Sequence, residues 1–113
     1  MVARRPFYNG FVNKEWLQQI AARLKQNYGA QKVVLFGSAA QGAAGPGSDV
    51  DLLVISPTTE GYFQRMATVR GMLRDLRRGL AVCPIVLTPE EVQSRLAIGD
   101  HFISDIMTQG IEL

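Results

Sequence analysis

The 113-residue chain has one cysteine, one histidine and one tryptophan, and neither sign of charge dominates it. A single thiol, Cys83, can close neither an internal disulfide nor a zinc cluster. The fold must therefore stand on its packed core, and the reducing cytoplasm is the expected location. No apolar run approaches the roughly 20 residues that cross a bilayer. The longest, Leu80–Leu87, has the length of a strand, so no membrane association is expected. The start, Met1–Pro6, is basic but has no apolar stretch behind it, and no signal peptide is read there. Twelve Lys and Arg against ten Asp and Glu leave a net charge of +2, which permits phosphate contact without indicating direct nucleic-acid binding. With 47% hydrophobic and 19% charged residues, the chain is neither disordered nor fibrous. Its length supports one core, and a single domain over residues 1–113 is expected.

Periodicity predicts the order αββαβαα. Trp16, Leu17, Ile20, Leu24 and Tyr28 recur at helical spacing between a capping Asn13 and Gly29. Lys32–Phe36 and Val50–Ile55 read as strands, separated by the uncharged, Gly- and Ala-rich segment Gly37–Ser48. A loop of that length in a small domain is usually functional. Thr59 is expected to cap a helix over Glu60–Arg78, with a stripe of Phe63, Met66, Ala67, Val69, Leu73 and Leu76, stopped by Gly79. Leu80–Leu87 reads as a third strand, interrupted by Pro84. Thr88-Pro89-Glu90-Glu91 has the form of a capping box with proline at the first helical position. A last helix is expected from Asp100 to Gly110. The pattern implies a small α/β domain of the α+β type, with helices flanking a mixed sheet.

The chemistry concentrates at Gly37-Ser38 and Asp49-Val50-Asp51. In a strand, residues two apart share a face, about 6.5–7 Å apart along the chain. Asp49 and Asp51 then present like charges side by side, an arrangement that calls for a cation between them. Mg²⁺ suits it, taking one or two carboxylates and filling its shell with water and phosphate oxygens. Gly37 follows a strand end, where a bare backbone lets a phosphate come close, and Ser38 adds a hydroxyl donor. Taken singly, the Gly-Ser pair is an ordinary turn and Asp-x-Asp an ordinary solvated strand end. Jointly they are more specific, because Asp51 interrupts the apolar frame Val50–Ile55, where an unpaired carboxylate is costly. The segment has neither Gly-Lys-Ser/Thr nor Gly-x-Gly-x-x-Gly, which excludes the Walker and dinucleotide-binding loops.

Phe36-Gly37-Ser38, Gly42 and Gly47-Ser48-Asp49-Val50-Asp51-Leu52-Leu53-Val54 together resemble the signature of the DNA polymerase β-like nucleotidyltransferase superfamily. The length resembles its minimal members, stand-alone domains often partnered with helical HEPN toxins. The resemblance implies a nucleotidyltransferase fold, with Gly37, Ser38 and Ser48 on the nucleotide and Asp49 and Asp51 as catalytic, Mg²⁺-binding residues. It implies ATP as donor, transfer of a nucleotidyl (AMP) group to a hydroxyl of a partner protein, and a hetero-oligomer in which this chain is the antitoxin. The same family pattern calls for a third carboxylate on the strand before Thr88. That position reads as Pro84, or as Cys83 after a one-residue shift, and a soft thiol suits Mg²⁺ poorly. The alternative reading is therefore a catalytically degenerate domain that neutralises its partner by binding.

Other conspicuous residues read more plainly. His101 belongs at a helix start beside Asp100. Arg70, Arg74, Arg77 and Arg78 cluster where a helix C-terminus favours cations, with a partner or RNA contact as the other reading. Phe7, Tyr8, Phe11 and Trp16 suit core packing, or else an exposed protein-binding patch.

Overall fold

The computed structural model describes residues 13–42, 49–77 and 81–113. Helix α1, Lys14–Asn27, opens on Asn13, whose side chain accepts from the Trp16 amide at 2.8 Å, as its sequence predicts. Strand β1 is Lys32–Phe36, followed by a 3₁₀ turn at Ala39–Gln41. The remaining elements are β2 Asp49–Ile55, α2 Tyr62–Met72, β3 Ala81–Leu87, α3 Pro89–Ala97, α4 His101–Gln109 and β4 Ile111–Glu112. A second 3₁₀ turn, Arg74–Leu76, follows α2.

The sheet order is β3-β2-β1-β4. β1 runs antiparallel to β2 and β4, whereas β2 and β3 are parallel, joined by the α2 crossover. Strand alternation splits the core into two layers. Val33, Leu35, Val50, Leu52, Val54, Val82 and Val86 face α1 and α2. Val34, Leu53, Ile55 and Leu87 face Val92, Ile103 and Ile106 of α3 and α4. The expected α+β fold with a mixed sheet and flanking helices is the one observed.

Helix α2 is shorter than its periodicity predicts. It begins after Gly61 rather than at a Thr59 cap, and the chain leaves it at Leu73. Its buried positions are Arg65 and Val69, while Phe63 lies 82% exposed. The cause is its place along the sheet edge. There the Arg65 guanidinium donates to the Glu60 carbonyl at 2.9 Å, the Val86 carbonyl at 3.2 Å and the Glu91 carboxylate at 2.6 Å. Glu91 also accepts from the Thr88 amide at 2.7 Å, completing the expected capping box of α3. The Arg65 guanidinium thus fastens α2 to β3 and, through Glu91, to α3.

Strand β4 has no counterpart in the sequence reading. Gly110 lets the chain turn from α4 straight onto β1. A methyl group there would collide with Val34 Cγ1 and the Ile106 carbonyl. Ile111 and Glu112 then pair with Leu35 and Val34, and the Leu113 amide donates to the Val33 carbonyl at 2.8 Å.

Pro84 was expected to bulge or unpair its strand. Instead β3 pairs with β2 without interruption from Ala81 to Leu87. The Leu87 carbonyl accepts from the Ser56 amide at 3.0 Å, whereas that of Val86 points out to Arg65. By alternation the backbone of Pro84, like that of Val86, faces the open edge, where the missing N–H costs no ladder bond.

Candidate active site at the ends of β1 and β2

The site lies where β1 ends and β2 begins. Register places Phe36, Asp51 and Cys83 in one row across three strands, with Asp49 and Ala81 in the next. All of these positions lie on the α3/α4 face. Asp49 is exposed at the strand start and Asp51 is half-buried behind it. Burial raises the Asp51 carboxyl above its ordinary pKa, and the negative charge of Asp49 raises it further. No Lys or Arg forms an ion pair with either carboxylate among the described residues, where the charge-paired acids are Asp75, Glu91, Asp100 and Glu112. A pair of like charges without a cation is chemically matched to a divalent metal, and Asp49 and Asp51 would hold it.

Gly37 is shaped for this place. Its φ of +74° is in the left-handed region, and a Cβ on it would strike Asp51 Oδ2. A bare backbone turn therefore lies directly against a carboxylate. Exposed Ser38 follows, its hydroxyl making no cap bond to the 3₁₀ turn. The turn is held by the Ala40 amide on the Gly37 carbonyl and the Gln41 amide on that of Ser38, each at 3.1 Å. Gly37, Ser38, Asp49 and Asp51 are thus brought together, while Ser48, Gly47 and Arg78 lie outside the described residues, as do Phe7, Tyr8 and Phe11.

Beside Gly37 a hollow of about 170 Å³ opens between the end of β1, the 3₁₀ turn and α4. Phe36, Phe102 and Ile106 make its apolar wall, and Asp105 and Gln109 its polar one. The rings of Phe36 and Phe102 meet edge to face at 5.8 Å. His101 takes no part in this lining and opens α4 beside the Asp100 cap, as its sequence position suggests.

The third position on the site face is Cys83, and the assignment of that place to Pro84 is corrected here. Pro84 pairs with Leu52 and is buried on the α1/α2 face, turned away from the aspartates. Cys83 pairs with Asp51 and lies on the same face as both aspartates. Burial, and then the charge of Asp49, push the thiol above its ordinary pKa, so at neutral pH it is uncharged. Among the described residues no three acidic, His or Cys side chains converge to hold a metal ion. The signal that could have located Cys83 was register: counting back from the capping box by alternation places Leu87, Ile85 and Cys83 on one face.

Residues 17–112 match the family model of the nucleotidyltransferase domain, and the chain belongs to that family. Its members form a transferase family of the DNA polymerase β-like superfamily that generally works with a divalent metal such as Mg²⁺. Comparison with curated proteins finds no match.

Proposed function

We propose that this domain binds ATP with Mg²⁺ and transfers its AMP group to a hydroxyl of a partner protein, a helical HEPN-type toxin to which it is the antitoxin. The observation that carries the reading is the contact of Gly37 with Asp51. It sets a backbone turn open to phosphate against a carboxylate pair that has no ion-pair partner among the described residues. Gly37 and Ser38 hold the β- and γ-phosphates, Asp49 and Asp51 hold the metal, and Ser48 completes the nucleotide contacts. A bound divalent ion neutralises the developing charge on the phosphates. The acceptor oxygen attacks the α-phosphorus, the bond to the bridging oxygen breaks, pyrophosphate leaves with the electron pair, and the hydroxyl proton passes to water.

Half-exposed Phe102 at the mouth of the hollow, with Ile98 79% exposed at the end of α3, supports an acceptor that brings its own recognition surface. Calorimetry with ATP in Mg²⁺ and in EDTA tests the site, since binding should need the metal. Intact-mass analysis of the partner after incubation with ATP and Mg²⁺ tests the transfer, which should add one or more AMP units. Equal affinity in EDTA would remove Asp49 and Asp51 as metal ligands.

Cys83 favours a second reading, in which the domain neutralises its partner by binding alone. A neutral thiol stands in the row where the family pattern calls for a carboxylate. Under this reading ATP and Mg²⁺ bind while the mass of the partner stays unchanged, yet the complex still forms.

A further inference from the structure

Among the described residues, Arg70 is the basic side chain that reaches Cys83 in the carboxylate row. It leaves α2 on the open side of β3, and its Nη2 lies 4.0 Å from Cys83 Sγ. Cys83 in turn stands opposite Asp51 in the ladder, on the face that carries both aspartates. Arg70 makes no ion pair among the described residues, although Arg23, Lys32, Arg65 and Arg95 each do.

Arg70 also lines a hollow of about 260 Å³ with Arg77, Leu73, Ala81 and Val82. Leu73 and Val82 are buried apolar residues, whereas Arg70 and Arg77 are exposed to solvent. Ala81, part of that lining, pairs with Asp49 across the ladder, so the hollow begins one strand away from that carboxylate. Two arginines in the lining of one hollow favour an anion there. Planar guanidinium groups match phosphoryl oxygens in pairs. The opposite flank, around Phe36, Phe102 and Asp105, has no Lys or Arg among the described residues of its lining. The two sides of the aspartate pair therefore differ in kind.

We infer that Arg70 is a phosphate-binding residue of this site, taking a phosphoryl oxygen of the donor triphosphate from the β3 edge, with Arg77 as its outer neighbour in the same anion pocket. The inference rests on the triphosphate reading of the site and adds a contact on the side of Asp49 away from Gly37. It also gives Arg70 and Arg77 of the arginine cluster a specific role, where the helix C-terminus alone would favour any cation.

The test is calorimetry of ATP and of inorganic tripolyphosphate, both with Mg²⁺, on the full chain and on Arg70→Gln, Arg70→Lys and Arg74→Gln. Arg70→Gln should weaken both ligands alike, by about ten- to a hundredfold, the range for a hydrogen bond to a charged group. Arg70→Lys should recover part of the loss, because it keeps the charge without the fork. Arg74→Gln removes the same charge from an exposed neighbour outside the hollow and should change affinity less than about twofold, a screened surface effect. Melting temperatures should not move, since Arg70 is exposed. An Arg70→Gln protein that binds both ligands like the parent overturns the inference and leaves the proposed function standing. Equal losses in Arg74→Gln and Arg70→Gln overturn it in favour of net charge, and a loss for ATP alone overturns it in favour of a nucleoside contact. If the parent binds neither ligand, the proposed function falls and this inference falls with it.

Discussion

Asp51 carries two opposed demands. As a half-buried carboxylate beside Asp49 it strains the metal-free protein, while as a metal ligand it is needed. Asp51→Asn should therefore raise the melting temperature of the metal-free chain at neutral pH and nearly abolish ATP binding in Mg²⁺. The sign follows from its raised pKa: the contribution of Asp51 to stability is greatest below the ordinary carboxyl range and is lost as pH rises through the folded value. A variant that melts higher yet binds ATP and Mg²⁺ like the parent would reduce Asp51 to a strained structural residue. Gly37→Ala tests the neighbouring claim. It adds a Cβ at positive φ and against Asp51 Oδ2, so both backbone and carboxylate must shift. The expected cost is about 1–3 kcal/mol of stability for the strained backbone, together with weaker metal-dependent binding. Denaturant melts and calorimetry measure the two effects separately.

At the scale of elements, β3 decides which of two adjacent residues serves the site. The capping box fixes where α3 starts, and alternation then turns Cys83 to the aspartates and Pro84 to the core. Cys83→Asp places a third carboxylate in the row and should raise transfer to the partner at nearly unchanged ATP affinity. Acceptor activation of this kind is worth about 10²–10⁴ in rate. Pro84→Asp puts its charge among Val82, Val86 and Leu52 and should lower stability without any gain in transfer. If Pro84→Asp proves to be the activating change, the register described here is wrong.

The Arg65–Glu91 pair is the second device of this scale. Arg65→Ala leaves the Val86 carbonyl and the Glu91 carboxylate short of a partner. The expected loss is about 3 kcal/mol, near the lower end for a broken buried pair because Glu91 is partly exposed. The bond from Arg65, followed by that from the Thr88 amide, holds the Glu91 carboxyl below its ordinary pKa. Its contribution is therefore present above the ordinary carboxyl range and lost as pH falls through the lower, folded value. Melts from neutral pH into the acid range should show a steeper fall for the parent than for Glu91→Gln. Parallel curves would mean that the pair contributes nothing measurable.

Over the whole molecule, the described residues form one sheet covered by helices on both faces, with the candidate site at one end of the central strands. Phe63 and Ile98 remain largely exposed, which is apolar surface without a role inside the fold. Co-expression with a HEPN-type partner, followed by sizing, should give a hetero-oligomer. A chain that stays monomeric beside that partner would sink the antitoxin reading.

Local sequence was enough for the two strands that carry the site, because β-branched runs and Gly-rich punctuation act within a few residues. It was enough also for the Asn13, Thr88 and Asp100 caps, whose side chains bond to amides three positions on. The carboxylate pair was legible for the same reason: strand alternation is a local rule, and Asp51 breaks an apolar frame. What local pattern could not supply was everything set by a neighbour in space. β4 exists because β1 offers an edge, and two residues after Gly110 have no signal of their own. α2 buries an arginine because a strand carbonyl and a distant carboxylate meet it at the sheet edge. The choice between Cys83 and Pro84 is a matter of register, and register belongs to the paired strands. Residue type and spacing determined the chemistry available to this protein; tertiary structure decided which side chains share a face, because only packing brings distant segments within bonding distance.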